Sequence, residues 1–359
     1  MKGTRTFASM LALAAVFVVA LLLLAGTYAV IASQVSPAGP DQTSISNDDS
    51  APFWSRWVTI TTGTCQTFDH NLNGDPNDYA VEMLFQDTED GWGLNRRYYG
   101  GLEFTDKRYG AHWQELTANT IRVCRHQDDN AADRIRIRVW DPPDDPDYES
   151  PWTDIAQLET LTFTHGLGIT ATDLTISLWF SSTGRGIHNF GYGGLALDPP
   201  PGSPPSPGRM QGAHWHDLTD NTVQVTRHRH DTDIMQVRVV VVHGTAPDYD
   251  SLEALGDWQS INPGEVYTFT HGLSWDTDML LVRGECYYES APGGIHHWLA
   301  GGNHDGLFGW QGTNLQNVTT NTVQIYRQPD DTICPQARVR IWRRSIQTYL
   351  PVVLSNHEP

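Results

Sequence analysis

The chain has 359 residues, enough for two or three ordinary domains, and its 42 acidic against 23 basic side chains give a net charge of −19. A chain this acidic has no basic stripe to neutralise phosphates, so the expected partners include no nucleic acid. None of the four cysteines forms a C-x-x-C pair, which excludes a zinc ribbon or thioredoxin-type motif.

Lys2 and Arg5 precede an apolar run from Phe7 to Ala32. The run exceeds the roughly 7–15 apolar residues of a signal core and meets the roughly 20 needed to cross a bilayer. Residues 1–32 are therefore expected to be a signal peptide or a signal-anchor helix, touching the membrane if Val30-Ile31-Ala32 is not cleaved. Everything later is exported. Residues 33–52, rich in Ser, Pro, Asp and Gln, read as a flexible linker.

Beyond it the chain repeats itself three times. Trp57, Trp152 and Trp258 each stand thirteen residues before His70, His165 and His271, within "FDHNL", "FTHGL" and "FTHGL". Then "GLNRRYYGG", "GIHNFGYGG" and "GIHHWLAGG" align without a gap, as do the stretches from Gly110, Gly212 and Gly312 that carry "ANTIRV", "DNTVQV" and "TNTVQI". Each copy closes on an alternating strand such as Ile135, Ile137 and Val139 against Arg134, Arg136 and Arg138. Turn signals recur at short intervals, and no window past the leader sustains a helical period. The expectation is an all-β chain of three tandem β-sandwich (or small barrel) domains over 53–140, 152–243 and 258–343, after an N-terminal hydrophobic helix. Pro- and Asp-rich linkers separate them, and 344–359 forms a tail.

The repeat map pairs the cysteines. Cys65 and Cys124 fall in the first copy, Cys286 and Cys334 in the third, and the middle copy has none, so the simplest disulfides are 65–124 and 286–334.

"DHNLNGDPNDY" puts Asp69, Asn71, Asn73 and Asp75 around Gly74, like half of a calcium loop. Ala80 stands where the bidentate glutamate belongs, and the other copies keep only the histidine and leucine. The first reading is a turn using the tolerance of Asn, Gly and Asp for left-handed backbone; a weak calcium site, about 10⁻⁴–10⁻³ M, is the second. No other cofactor is expected.

His70, His165 and His271 lack an accompanying nucleophile motif and are expected to tie down the adjacent turn. Arg125, Arg227 and Arg327 each precede Asp129, Asp231 and Asp331 by four and are expected to brace a turn. The middle copy alone adds His216, His228 and His230, from which a zinc or copper site could be assembled.

Strand alternation gives the best candidate binding face: Asn95, Arg97 and Tyr99; His188, Phe190 and Tyr192; His296 and Trp298; with His112 and His214 on the next strand. Flat rings beside planar hydrogen-bonding groups suit a sugar, and an inter-sheet core is the competing reading.

"FTHGLG…TDLTISLWF…LTDNTVQV…MQVRVVVV" resembles the small tandem β-sandwiches of secreted bacterial surface proteins and of phage tail-fibre-like appendages. That resemblance implies adhesion or assembly at a surface. The expected function is an exported, non-catalytic surface protein for adhesion or glycan binding, with a polysaccharide or cell-surface ligand as partner. The alternatives are a structural cell-envelope or spacer component, and a metal- or histidine-dependent hydrolase.

Overall fold

A computed structural model describes residues 53–343, apart from 105–106, 143–145, 194, 198–208, 245, 290–293, 298–302 and 306–308. The leader, the linker 33–52, the tail 344–359 and Trp298 lie outside the described residues. The described residues fall within one compact unit.

Within it one strand plan occurs three times. In the first repeat, a sheet runs in the order Phe53–Trp54, Arg134–Trp140, Ala80–Gln86, Leu94–Asn95. A second sheet runs Cys65–Asp69, Thr120–Arg125, Ala111–Gln114, and Leu102–Phe104 pairs with Lys107–Tyr109 as a hairpin. The same order returns through Thr175–Ser182 and Gln236–Val242 in the second repeat, and through Leu280–Tyr288 and Gln336–Arg343 in the third. All strand pairs named here are antiparallel, and none of the sheets closes into a barrel.

The two sheets of a repeat face each other because alternate residues are apolar. Met83 and Phe85 from one strand, and Ile135, Ile137 and Val139 from its neighbour, are fully buried against Phe68, Ile121 and Val123 of the other sheet. Equivalent cores form around Phe180, Val237, Val239 and Val223, and around Val282, Val339 and Val323. The cores interlock in sequence: Trp179 and Ile187 pack into the first, Ile295 and Tyr287 into the second, Leu94 into the third.

Each of the two expected linkers contributes a short strand to the fold. Tyr148–Glu149 pairs with Val240–Val241, and Tyr249–Asp250 with Arg340–Ile341, as Phe53–Trp54 does with Arg138–Val139. The serine that follows accepts a backbone amide in every copy: Ser55 from Ile137 at 3.0 Å, Ser150 from Val239 at 2.9 Å, Ser251 from Val339 at 2.9 Å. The repeat thus begins at an aromatic-x-Ser motif, several residues before Trp152 and Trp258. Asp250 also caps a short helix, Ser251–Leu255, by accepting from the Leu252 amide.

The expected braces are present. Arg125, Arg227 and Arg327 hold Asp129, Asp231 and Asp331 at 2.7, 2.8 and 2.7 Å. Each aspartate also accepts an amide from across the turn, Gly110, Gly212 or Gly312. Those glycines have φ near +80°. At Gly110 and Gly212 a side chain would meet the Tyr98 or Gly191 carbonyl at 2.0 Å, so glycine is required twice over. Both expected disulfides are formed, Cys65–Cys124 and Cys286–Cys334. They fit an oxidising compartment. Among the described residues no helix is long and apolar enough to cross a membrane.

Candidate functional site

The residues singled out by alternation come together where one repeat meets the next. The Glu115 and Leu116 amides of the first repeat donate to the Arg185 and Ile187 carbonyls of the second, at 2.8 and 3.3 Å. Leu218 of the second donates to Ile295 of the third at 3.3 Å, and His297 returns a bond to Trp215 at 3.2 Å. Asn317 and Val318 of the third donate to Trp92 and Leu94 of the first at 2.9 and 3.2 Å, and Arg96 returns one to Leu315 at 2.9 Å. Three equivalent seams therefore close a ring.

A second set of contacts turns around the same ring. Arg136 pairs with Asp278 at 2.8 Å, Arg238 donates to the Asn77 carbonyl at 2.6 Å, and Arg338 donates to the Thr172 carbonyl at 2.6 Å. Trp57 and Trp152 add indole N–H bonds to Asp278 and Asn77. The hairpin strands Leu102–Phe104, Leu195–Leu197 and Asn303–Asp305 adjoin one another. Further in, Glu285 lies between Arg338 and Arg340; burial opposes its ionisation, but the two guanidiniums outweigh that and hold its carboxyl at about 2.

Asn95, His112, His188, His214 and His296 are all at most 4% exposed. These five positions of the expected ligand face are thus turned away from solvent, while Arg97 is half-buried. His112 of the first repeat packs edge-on against Phe190 of the second with ring centroids 5.0 Å apart. Tyr99 and Tyr192 meet edge-to-face at 5.8 Å, and burial pushes the Tyr192 hydroxyl up to about 12. Burial, with Arg185 nearby, lowers His188 to about 3 and carries His112 well below its ordinary value. These rings are held neutral in seams whose apolar walls and hydrogen bonds join repeats. One-strand alternation is blind to this, because it reports that two faces differ without saying what covers the second.

The stretch from Asp69 to Asp75 is a turn. Asn71 and Asn73 take the left-handed backbone, with φ of 54° and 59°. Asn73 donates to the Ala118 carbonyl, Gly74 to the Tyr79 hydroxyl, and Asp75 accepts from Asn77. His70, His165 and His271 each accept from the amide two residues on, at 3.4, 3.5 and 3.3 Å. Burial lowers all three, offset in part by backbone groups such as Thr120 and Thr117 beside His70. The middle-repeat histidines bond to other partners: His214 Nδ1 lies 3.0 Å from His228 Nε2, and His216 bonds Asp217 and Thr226. Among the described residues no His, Cys, Asp and Glu cluster is arranged to hold a metal ion.

One aromatic group stays partly open to solvent. At the junction of third and first repeats, Trp92, Tyr109 and Trp310 are half-buried around Tyr98. Tyr98 lies 5.5 Å from Tyr109 and 6.2 Å from Trp310 between ring centroids. The Arg97 guanidinium sits 3.9 Å over the Trp92 ring. Exposed Asp90, Asn130 and Asp330 carry hydrogen-bonding groups beside it: Asn130 bonds Asp90, and Asp330 accepts the Trp310 amide. At the equivalent first-to-second position the pair is inverted, with Arg185 4.1 Å over Phe190. Of this group only Arg97 stood out in the sequence. The available signal was that Trp92 and Trp310 have no aromatic at matched positions in the second copy, where Arg185 and Met210 stand.

No family model matches this chain, and neither a curated protein nor a solved structure matches it.

Proposed function

We propose that the chain is an exported, non-catalytic surface protein that recognises a carbohydrate through the Trp92, Arg97, Tyr109 and Trp310 group. The observation that carries this reading is the half-buried aromatic set at the third-to-first junction, rimmed by planar and carboxylate hydrogen-bonding groups. A sugar ring buries its C–H face on an aromatic and spends its hydroxyls on directional partners, and this group offers both. The reading allots one site to the ring rather than three, because the matched positions elsewhere carry different residues. Three β-sandwich domains tethered by an N-terminal membrane helix, as the sequence suggests, would hold that site outside the cell.

The test is glycan-array and polysaccharide-pelldown binding by the exported chain, residues 33–359. Trp92→Ala and Trp310→Ala are expected to weaken binding ten-fold or more while leaving the denaturation midpoint within a small margin. Equal binding by both variants and the parent refutes the site. A second reading, a structural spacer, is favoured by the burial of Asn95, His188 and His296 in the seams; it predicts no polysaccharide binding at all.

A further inference from the structure

The three seams share a backbone scheme but differ in chemistry at matched positions. Where the second-to-third seam has His214, His216, His228 and His296, the third-to-first has Asn314, Gln316, Gln328 and Asn95. All eight side chains are at most 8% exposed. Each amide has a neutral shape that no proton changes near neutral pH, whereas each imidazole can gain a charge.

The histidine seam is built for neutral rings. His214 and His228 stack at 4.8 Å between centroids, and their facing nitrogens, 3.0 Å apart, need one donor and one acceptor. His214 and His216 lie 5.1 Å apart, and His296 reaches the Ile333 carbonyl at 2.9 Å. Protonating both His214 and His228 turns that bond into two donors facing each other. Asp217 of the second repeat bonds His216 at 2.9 Å. Asp217 from the second repeat and Asp331 from the third face His296; Glu285, Arg283 and Arg96 face His297, which stacks on Trp215. Asp331 is already held by Arg327, and Glu285 by Arg338 and Arg340, so neither is spare to neutralise new cations.

We propose that the second-to-third seam is an acid-sensitive latch: protonation of His214, His228 and His296 parts the second repeat from the third, while the amide-lined third-to-first seam stays closed. The first-to-second seam, with His112, His126 and His188 at the matched positions, is expected to loosen with it, so the amide-lined seam is the one that acid leaves closed. Burial lowers His228 and His296 to about 4, which puts the response below the ordinary histidine range. The neutral rings stabilise the closed seam fully above pH 6.5, and that contribution is lost as pH falls through about 4.

The test is amide hydrogen exchange on the full-length protein at pH 7 and pH 4, expressed as protection factors so that intrinsic rates cancel. The Leu218 and His297 amides, which cross the histidine seam, are expected to lose at least ten-fold in protection. The Arg96, Asn317 and Val318 amides, which cross the amide seam, are expected to change less than three-fold. Replacing the cluster with the residues of the other seam (His214→Asn, His216→Gln, His228→Gln, His296→Asn) abolishes the difference. The single variant His228→Gln, which removes the paired imidazole alone, must already blunt it. Both seams loosening together, neither loosening, or His228→Gln behaving as the parent each overturns the proposal.

Discussion

Trp113 and Asn189 bond each other twice across the first seam: the Trp113 amide donates to the Asn189 side-chain oxygen at 2.7 Å, and the Asn189 amide donates to the Trp113 carbonyl at 3.1 Å. Asn189 is 2% exposed, so no water replaces the side chain when it is removed. Asn189→Ala leaves a buried amide donor unpaired, at a cost of about 1–3 kcal/mol. Urea denaturation of the parent and variant checks this. A loss under a few tenths of a kcal/mol would mean that the seam is not formed.

The Arg–Asp braces make a second prediction. Asp231 is fully buried, holds Arg227 at 2.8 Å, and accepts the Gly212 and Ile234 amides. Asp231→Ala strands a guanidinium that is largely out of water, and the expected loss is about 3–5 kcal/mol. The same substitution at the exposed Asp220 is expected to cost under about 1 kcal/mol. Similar losses at the two positions, measured by denaturation, would contradict the brace.

The staples should be separable. Cys65 and Cys124 face each other across paired strands and are 59 residues apart, and Cys286 and Cys334 are 48 apart. On the chain-entropy estimate each contributes about 4 kcal/mol by restricting the unfolded chain. Removing the first pair as Cys65→Ser with Cys124→Ser is expected to lower stability by that order and leave the other disulfide intact. Mass spectrometry of peptic fragments reads the pairing in the parent and the variant, and a link between the two pairs in the parent, or free Cys286 and Cys334 in the variant, would contradict it.

Acid should act on the ring in two steps. Glu285 has its carboxyl depressed from 4.5 to about 2, so its stabilisation is complete above pH 4.5 and lost as pH falls through about 2. That window lies below the one for the buried histidines. Glu285→Gln is expected to remove the lower step, on the order of 3 kcal/mol between its two ends, and to leave the upper one. Stability measured against pH from 7 to 2 distinguishes this from a single merged transition.

Much of the strand plan was legible because alternation and three-fold repetition reinforce each other. Ile135, Ile137 and Val139 announce both a strand and its buried face, and the recurring Arg–Asp spacing announces the brace. The disulfides followed from which copy held cysteines. The ring was not legible. Its seams use His188, His214 and Asn314, polar residues that look like a ligand face until a neighbouring repeat covers them. The short edge strand Tyr148–Glu149 was hidden too, because two residues after a Pro-Asp pair carry no periodicity of their own. The Trp92 and Trp310 group was obscured for the opposite reason, since the two residues are 218 positions apart and meet only when the ring closes.

Small-angle X-ray scattering from residues 53–343 tests ring closure most directly. A single compact body of this length has a radius of gyration of about 19 Å, while three bodies strung ~30 Å apart give roughly 27 Å. The closed ring predicts the smaller value at neutral pH. A value near the larger one would mean that the third repeat does not return to the first, and the seams, the aromatic group and the latch would fall together.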